Sequence, residues 1–126
     1  LEVLNYANTL SDNNILHCCG WDGNKNRVEV WQDYPAHVVN WAVYVEGMSL
    51  PEGRKFFGCD CVLGGFDNRK EGVLYSGTRE EIEKEAERVI AEAGKCGVII
   101  GADCTLPSDI PTERLRWLRK KLDELS

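Results

Sequence analysis

Three side chains in this sequence have the donor types of a catalytic metal site. His17 and Cys19 stand two apart in the short apolar run Ile15-Leu-His-Cys-Cys-Gly20, and Cys104 follows a second such run, Gly97 to Ala102. Successive side chains of an extended strand alternate in direction, so His17 and Cys19 project to one face and Cys18 to the other. One imidazole and two thiolates leave the fourth position of a tetrahedral zinc ion open, and soft sulfur ligands suit that metal. A substrate thiol entering that position would give up its proton near neutral pH and become a nucleophile. Cys104 can join the pair only through the tertiary fold, and His-x-Cys is a frequent triplet. On residue types alone, buried structural cysteines are therefore the commoner alternative.

The remaining candidates are weaker. Asp67, following Gly64, Gly65 and Phe66, either faces the same pocket as a catalytic carboxylate or caps the next turn. Cys18, Cys59, Cys61 and Cys96 read as buried small apolar side chains. Trp21 and Trp41 fit core packing ahead of a role as pocket walls. His37 sits at a strand start with no role to assign.

These residues need a scaffold, and the order of elements supplies one. After an opening helix with Leu1, Leu4, Ala7 and Leu10, strand-like runs at Ile15–Gly20, His37–Val45, Cys59–Leu63 and Gly97–Ala102 alternate with helical segments. That alternation marks a parallel sheet. A short helix around Arg27–Tyr34 and a turn or helical turn at Pro51–Phe57 fall between strands, and Gly64 and Gly65 end the third strand. The clearest helix opens at Thr78, which forms a capping box with Glu81, carries Ile82, Ala86, Val89 and Ile90 on one face and exits at Gly94. A terminal helix after Pro111 bears Leu115, Leu118, Leu122 and Leu125. Four strands of this kind build either a small doubly wound sheet or half of a (β/α)8 barrel. Both bind ligands beyond the carboxyl ends of the strands, where His17, Cys19, Asp67 and Cys104 fall.

Bulk properties narrow the function further. A chain of 126 residues with 43% hydrophobic and 29% charged residues fits one compact domain, 1–126. Its net charge of -6 argues against a nucleic-acid partner, which needs concentrated Lys and Arg. The cluster Arg114, Arg116, Arg119, Lys120 and Lys121 reads as a solvated helix face. No apolar run approaches the roughly 20 residues of a membrane span, and no signal peptide opens the chain, so a cytoplasmic protein with reduced thiols is expected. The start at Leu1, inside a helix already under way, suggests a fragment.

Several stretches in order carry a resemblance over nearly the whole chain: Ile15-Leu-His-Cys-Cys-Gly20, Leu63-Gly-Gly-Phe-Asp67, Ser76-Gly-Thr-Arg-Glu-Glu-Ile82, and Gly101-Ala-Asp-Cys-Thr-Leu-Pro107 with Pro111. The chain resembles the uroporphyrinogen decarboxylase superfamily. That superfamily holds the decarboxylases of haem biosynthesis and zinc-dependent methyltransferases that move a methyl group from a corrinoid to a thiol such as coenzyme M. The resemblance implies the C-terminal half of a (β/α)8 barrel, strands five to eight, with four parallel strands. The zinc motif of the methyltransferase branch, His-x-Cys with a distant Cys, matches His17, Cys19 and Cys104, whereas the decarboxylase branch carries a histidine where this chain has Asp103-Cys104.

The resemblance thus implies zinc, a methyl-corrinoid donor, free or on a partner corrinoid protein, and a thiol or tetrapyrrole substrate. Uroporphyrinogen decarboxylase itself, which needs no metal, is the alternative activity. Another is a catalytically inert piece that self-associates through its open sheet edges into a dimer or larger assembly. One geometric demand follows. Strands five and eight stand roughly 14 Å apart along the sheet at about 4.8 Å per step, so curvature and the loop after Asp103 must carry Cys104 inward.

Overall fold

The computed structural model describes residues 1–20 and 23–126. Four strands, β1 (Ile15–Cys18), β2 (Val38–Trp41), β3 (Cys61–Phe66) and β4 (Val98–Ala102), form one parallel sheet in the order β1-β2-β3-β4. A doubly wound sheet reverses its strand order at a switch point. Here spatial order follows chain order without reversal, which is the winding of consecutive units in a (β/α)8 barrel. The chain is therefore an α/β protein with part of a barrel's architecture.

Register divides the residues of the sheet into two faces. Leu16, Val39 and Val62 pair across one row and Cys18 with Trp41 in another. Of these, Cys18, Val39, Trp41 and Val62 are buried against the helices. The alternate residues, Ile15 and His17 on β1 and Ile99 on β4, look the other way, and Ile15 and Ile99 remain 50% and 44% exposed. That open face corresponds to the inside of a barrel.

Among the described residues, six helices and one 3₁₀ turn precede, connect or follow the strands: α1 (Glu2–Leu10), the 3₁₀ turn Val28–Trp31, α2 (Val43–Glu46), α3 (Leu50–Phe57), α4 (Val73–Ser76), α5 (Arg79–Ala93) and α6 (Thr112–Leu125). Capping boxes start two of them, Ser49 with Glu52 on α3 and Thr78 with Glu81 on α5; each satisfies otherwise orphaned backbone donors. Helix α3 packs closely because residue 53 is glycine: a Cβ there would lie 2.1 Å from Trp41 Cζ2. Helix α5 turns Ile82, Ala86 and Val89 into the core. Helix α1 buries none of its residues, leaving Val3, Tyr6 and Leu10 exposed.

Strand β1 ends at Cys18 and β3 starts at Cys61, each two residues inside its expected bound, and the ends of β2 and β3 depart further. The chain leaves the sheet at Trp41 instead of running on to Val45, because the Tyr44 N–H is taken by the Asp103 carboxylate and Val43–Glu46 coils into α2; tertiary context outweighs the β-propensity of the valines. Strand β3 runs through Gly64 and Gly65 to Phe66, with φ of +143° and +107° at the two glycines. A side chain at Gly65 would meet Val89 Cγ1 at 2.7 Å, so the pair lets the strand approach α5 in a backbone conformation only glycine adopts readily. No helix among the described residues is long and apolar enough to cross a membrane.

Candidate metal centre

His17, Cys19 and Cys104 meet at the carboxyl end of the sheet. Their donor atoms all lie within 4.8 Å of one another. His17 belongs to β1, Cys19 follows it directly, and Cys104 comes two residues after the end of β4. The Cys19 and Cys104 sulfurs are 3.7 Å apart, and Cys104 Sγ is 3.4 Å from His17 Nε2. Tetrahedral zinc with bonds of about 2.3 Å to sulfur and about 2.0–2.1 Å to nitrogen would need edges of roughly 3.8 Å between sulfurs and roughly 3.6 Å between sulfur and nitrogen. The spacing and softness of this donor set therefore fit zinc, and three protein donors leave one coordination position for another ligand.

The loops around the three donors are held by specific polar contacts. Asn26 donates from its side chain to the Cys19 carbonyl (3.1 Å) and from its backbone to the Glu46 carboxylate (2.6 Å), which ties the residue after β1 to α2. Asp103 is 1% exposed and accepts from the Gly65 N–H at 2.9 Å and the Tyr44 N–H at 3.2 Å. Its own N–H donates to the Phe66 carbonyl at 2.8 Å. The residue before Cys104 is thus tied to β3 and α2, which fixes the direction in which Cys104 leaves the sheet.

Burial sets the electrostatics of these groups. It pushes the Asp103 carboxyl up to about 7 against the opposing pull of the Gly65 and Tyr44 donors. Burial also raises the Cys104 thiol above its ordinary range, and the neighbouring Cys19 thiol adds to the rise. Without a metal, Cys104 is therefore held as a thiol, and binding a cation would release its proton. Cys18, on the far face, is pushed up to about 11 by burial and by Glu46, and is an inert core thiol.

The other candidates lie elsewhere. Asp67 is buried outside the cluster, and both its oxygens are engaged by Arg69: Oδ1 accepts from Arg69 Nε at 2.9 Å and from the Arg69 N–H at 3.0 Å, and Oδ2 accepts from Nη2 at 2.6 Å. That arrangement caps the turn after β3 and sets Arg69 in the wall of a cleft of about 500 Å³, which Cys104, Thr105, Leu106 and Lys70 also line. Trp41 is fully buried and packs against Phe57 in the core. Trp21 lies outside the described residues. Cys18 and Cys59 are buried as expected, but Cys61 is only partly covered and Cys96 is exposed. Cys96 stands in the turn before β4, beyond the reach of the core. His37 precedes β2 and faces Asp60 at 3.3 Å on the surface. Of the basic cluster, Arg114 is not simply solvated: its Nε donates to the Leu74 carbonyl at 2.8 Å and its Nη2 to the Gly77 carbonyl.

One further residue bears on the centre through partners distant in the chain. Asn40, in the middle of β2, is 6% exposed and hydrogen-bonds to His17 Nδ1 through its Oδ1. Its Nδ2 donates to the Leu63 carbonyl at 2.9 Å and makes a longer contact with the Ala102 carbonyl at 3.5 Å. A lone asparagine in a run of valine and tryptophan was the available signal, since a buried amide there must find partners.

Comparison with known proteins bears on the whole chain. No curated protein and no solved structure matches it. The family model described as uroporphyrinogen decarboxylase (URO-D) matches residues 3–125. With a match over nearly its full length and four parallel strands wound in barrel order, this chain belongs to the uroporphyrinogen decarboxylase family.

Proposed function

We propose that this chain carries the thiol-activating centre of a zinc-dependent methyltransferase within its family, with His17, Cys19 and Cys104 as the zinc ligands. The observation that carries the reading is the convergence of one imidazole and two sulfurs within 4.8 Å at the strand ends where such folds keep their chemistry. Zinc there would lower the pKa of a substrate thiol, so that a thiolate is available near neutral pH to take the methyl group of a methyl-corrinoid, the S–C bond forming as the Co–C bond breaks and leaves its electron pair on a departing Co(I) corrinoid. The corrinoid, on a partner protein or free, and the accepting thiol are both part of this proposal.

The chain's own residues prepare that event in three ways. Cys19 and His17 present their donors from one strand end, while the hydrogen bonds of Asp103 aim Cys104 at them. The cleft beside Cys104 gives a substrate room to approach. Arg69, steered by Asp67, places a cation in its wall. In this reading Asp67 acts through Arg69 as a positioning residue.

Zinc content tests the ligand set. Protein purified without added metal is expected to hold one zinc ion per chain, Cys104→Ser to lose most of it, and Cys96→Ser, altered at an exposed cysteine outside the cluster, to keep it. Equal zinc in the wild type and Cys104→Ser would refute the assignment. A second reading, a catalytically inert unit that self-associates, draws on a separate observation. Ile15 on β1 and Ile99 on β4, the two outer strands, and Val3, Tyr6 and Leu10 of α1 are exposed, and open parallel edges of this kind pair with other chains.

A further inference from the structure

We infer that Asn40 is a positioning residue that fixes which nitrogen of His17 carries its proton, so that Nε2 is presented as a lone-pair donor toward Cys104. The inference rests on the metal-centre reading for its purpose but not for its geometry. A primary amide has one donating and one accepting end. The donating end of Asn40 faces two carbonyl oxygens, Leu63 O at 2.9 Å and Ala102 O at 3.5 Å, and carbonyls only accept. The accepting end therefore faces His17 Nδ1. Reversing the amide would set its oxygen against both carbonyls. At 6% exposure almost no water could repair that loss, and a buried polar group left unpaired is strongly disfavoured.

The consequence for His17 is direct. An imidazole facing an acceptor at Nδ1 must donate there, and a neutral ring protonated at Nδ1 carries its lone pair on Nε2. That nitrogen is the one 3.4 Å from Cys104 Sγ. Free histidine prefers the opposite tautomer, with the proton on Nε2, so the protein must impose this one. Hydrogen bonds from the distal nitrogen of metal-binding histidines have this orienting effect in general. Asn40 does a second thing with the same group. It sits on β2 yet touches β1 through His17, β3 through Leu63 and β4 through Ala102, so a single side chain ties together the strand ends that bring His17 and Cys104 near each other.

The test uses nitrogen NMR of the metal-free chain at about pH 8, above the ordinary imidazole range. The sequence holds two histidines, and His37→Gln assigns the signals. The wild type is expected to show His17 protonated on Nδ1 with Nε2 bare; a proton on Nε2 overturns the inference whether or not metal binds. Asn40→Asp keeps an oxygen facing Nδ1 and is expected to keep the tautomer, at a lower Tm because its second oxygen meets the Leu63 and Ala102 carbonyls, whereas Asn40→Leu is expected to lose the tautomer and to weaken zinc binding about 10–100-fold. Unchanged tautomer and unchanged zinc affinity in Asn40→Leu also overturn it, and if that variant fails to fold, the wild-type tautomer alone decides. Should the wild type show the Nδ1 proton yet bind no zinc, the metal-centre reading falls while the role of Asn40 in orienting His17 stands.

Discussion

Gly53→Ala sets two effects of opposite sign against each other, and the structure decides which wins. Position 53 lies within α3, where alanine is favoured over glycine by about 0.8–1.0 kcal/mol in an exposed helix interior. Its Cβ would stand 2.1 and 2.3 Å from Cζ2 and Cη2 of Trp41, so the ring must retreat by more than 1 Å to reach ordinary van der Waals contact. Trp41 has nowhere to go. It is 0% exposed, its Nε1 donates to the Met48 carbonyl at 3.0 Å, and the Phe57 ring lies 5.4 Å from its centroid. Overpacking a core costs typically 1–3 kcal/mol, and a rigid indole places this case at the upper end, leaving a net loss of about 2 kcal/mol. At about 2.1 cal/mol/K per residue over 126 residues, unfolding entropy is about 0.26 kcal/mol/K, so Tm should fall by about 8 °C. Thermal unfolding followed by circular dichroism measures this directly. Because Asn40 adjoins Trp41 on β2, the same variant is expected to hold zinc less tightly. A Tm equal to or above the wild type's would show that Trp41 is not confined as described.

Two further outcomes follow from the surface and from the turn after β3. Burial works to raise the Asp67 carboxyl, but the hydrogen bonds and charge of Arg69 outweigh it and hold the group below the usual carboxylate range. A depressed acid stabilises the fold above its unfolded pKa of about 3.9, and that contribution is lost as pH falls through the lower folded value. Asp67→Asn should therefore flatten the acid limb of the stability curve below about pH 4, and an unchanged limb in denaturant titrations would remove the ion pair from the account. Sedimentation velocity at micromolar concentration is expected to show a dimer or larger species, with Ile15→Lys shifting it toward monomer; a stable wild-type monomer would refute the self-association reading.

Much of this fold was legible in the sequence, and most of what was not depends on pairing between distant segments. The capping box at Thr78 and Glu81, the apolar face of α5 and the leucine stripe of α6 are local patterns, and each element lies where its pattern put it. The box at Ser49 and Glu52 has the same spacing and is equally local, yet Pro51 drew the reading toward a turn. The choice between doubly wound sheet and barrel was not legible, because strand order is a property of pairing between distant segments. The extension of β3 through Gly64 and Gly65 was hidden for the same reason: two glycines read as a break until Val89 and Asp103 are seen to press on them. Among the site residues, donor types announced His17, Cys19 and Cys104, while Asn40 and Asp103 matter through partners that lie far away in the chain.

The distance between the outer strands is where these observations join. A flat sheet would separate β1 from β4 by roughly 14 Å at about 4.8 Å per step, yet the sulfurs that follow those strands are 3.7 Å apart. Curvature must make up the difference, and Asn40 records it: a side chain on β2 reaches past β3 to a carbonyl of β4 at 3.5 Å, which a flat sheet would not permit. Asp103 finishes the inward turn by bonding to Gly65 and Tyr44, and Gly64 leaves space for it, since a Cβ there would lie 3.1 Å from Asp103 Oδ1. The donors therefore converge because the polar groups inside the sheet's mouth satisfy one another only when it is curled. An apolar replacement of Asn40 or Asp103 would therefore separate His17 from Cys104 while leaving both donors in the sequence.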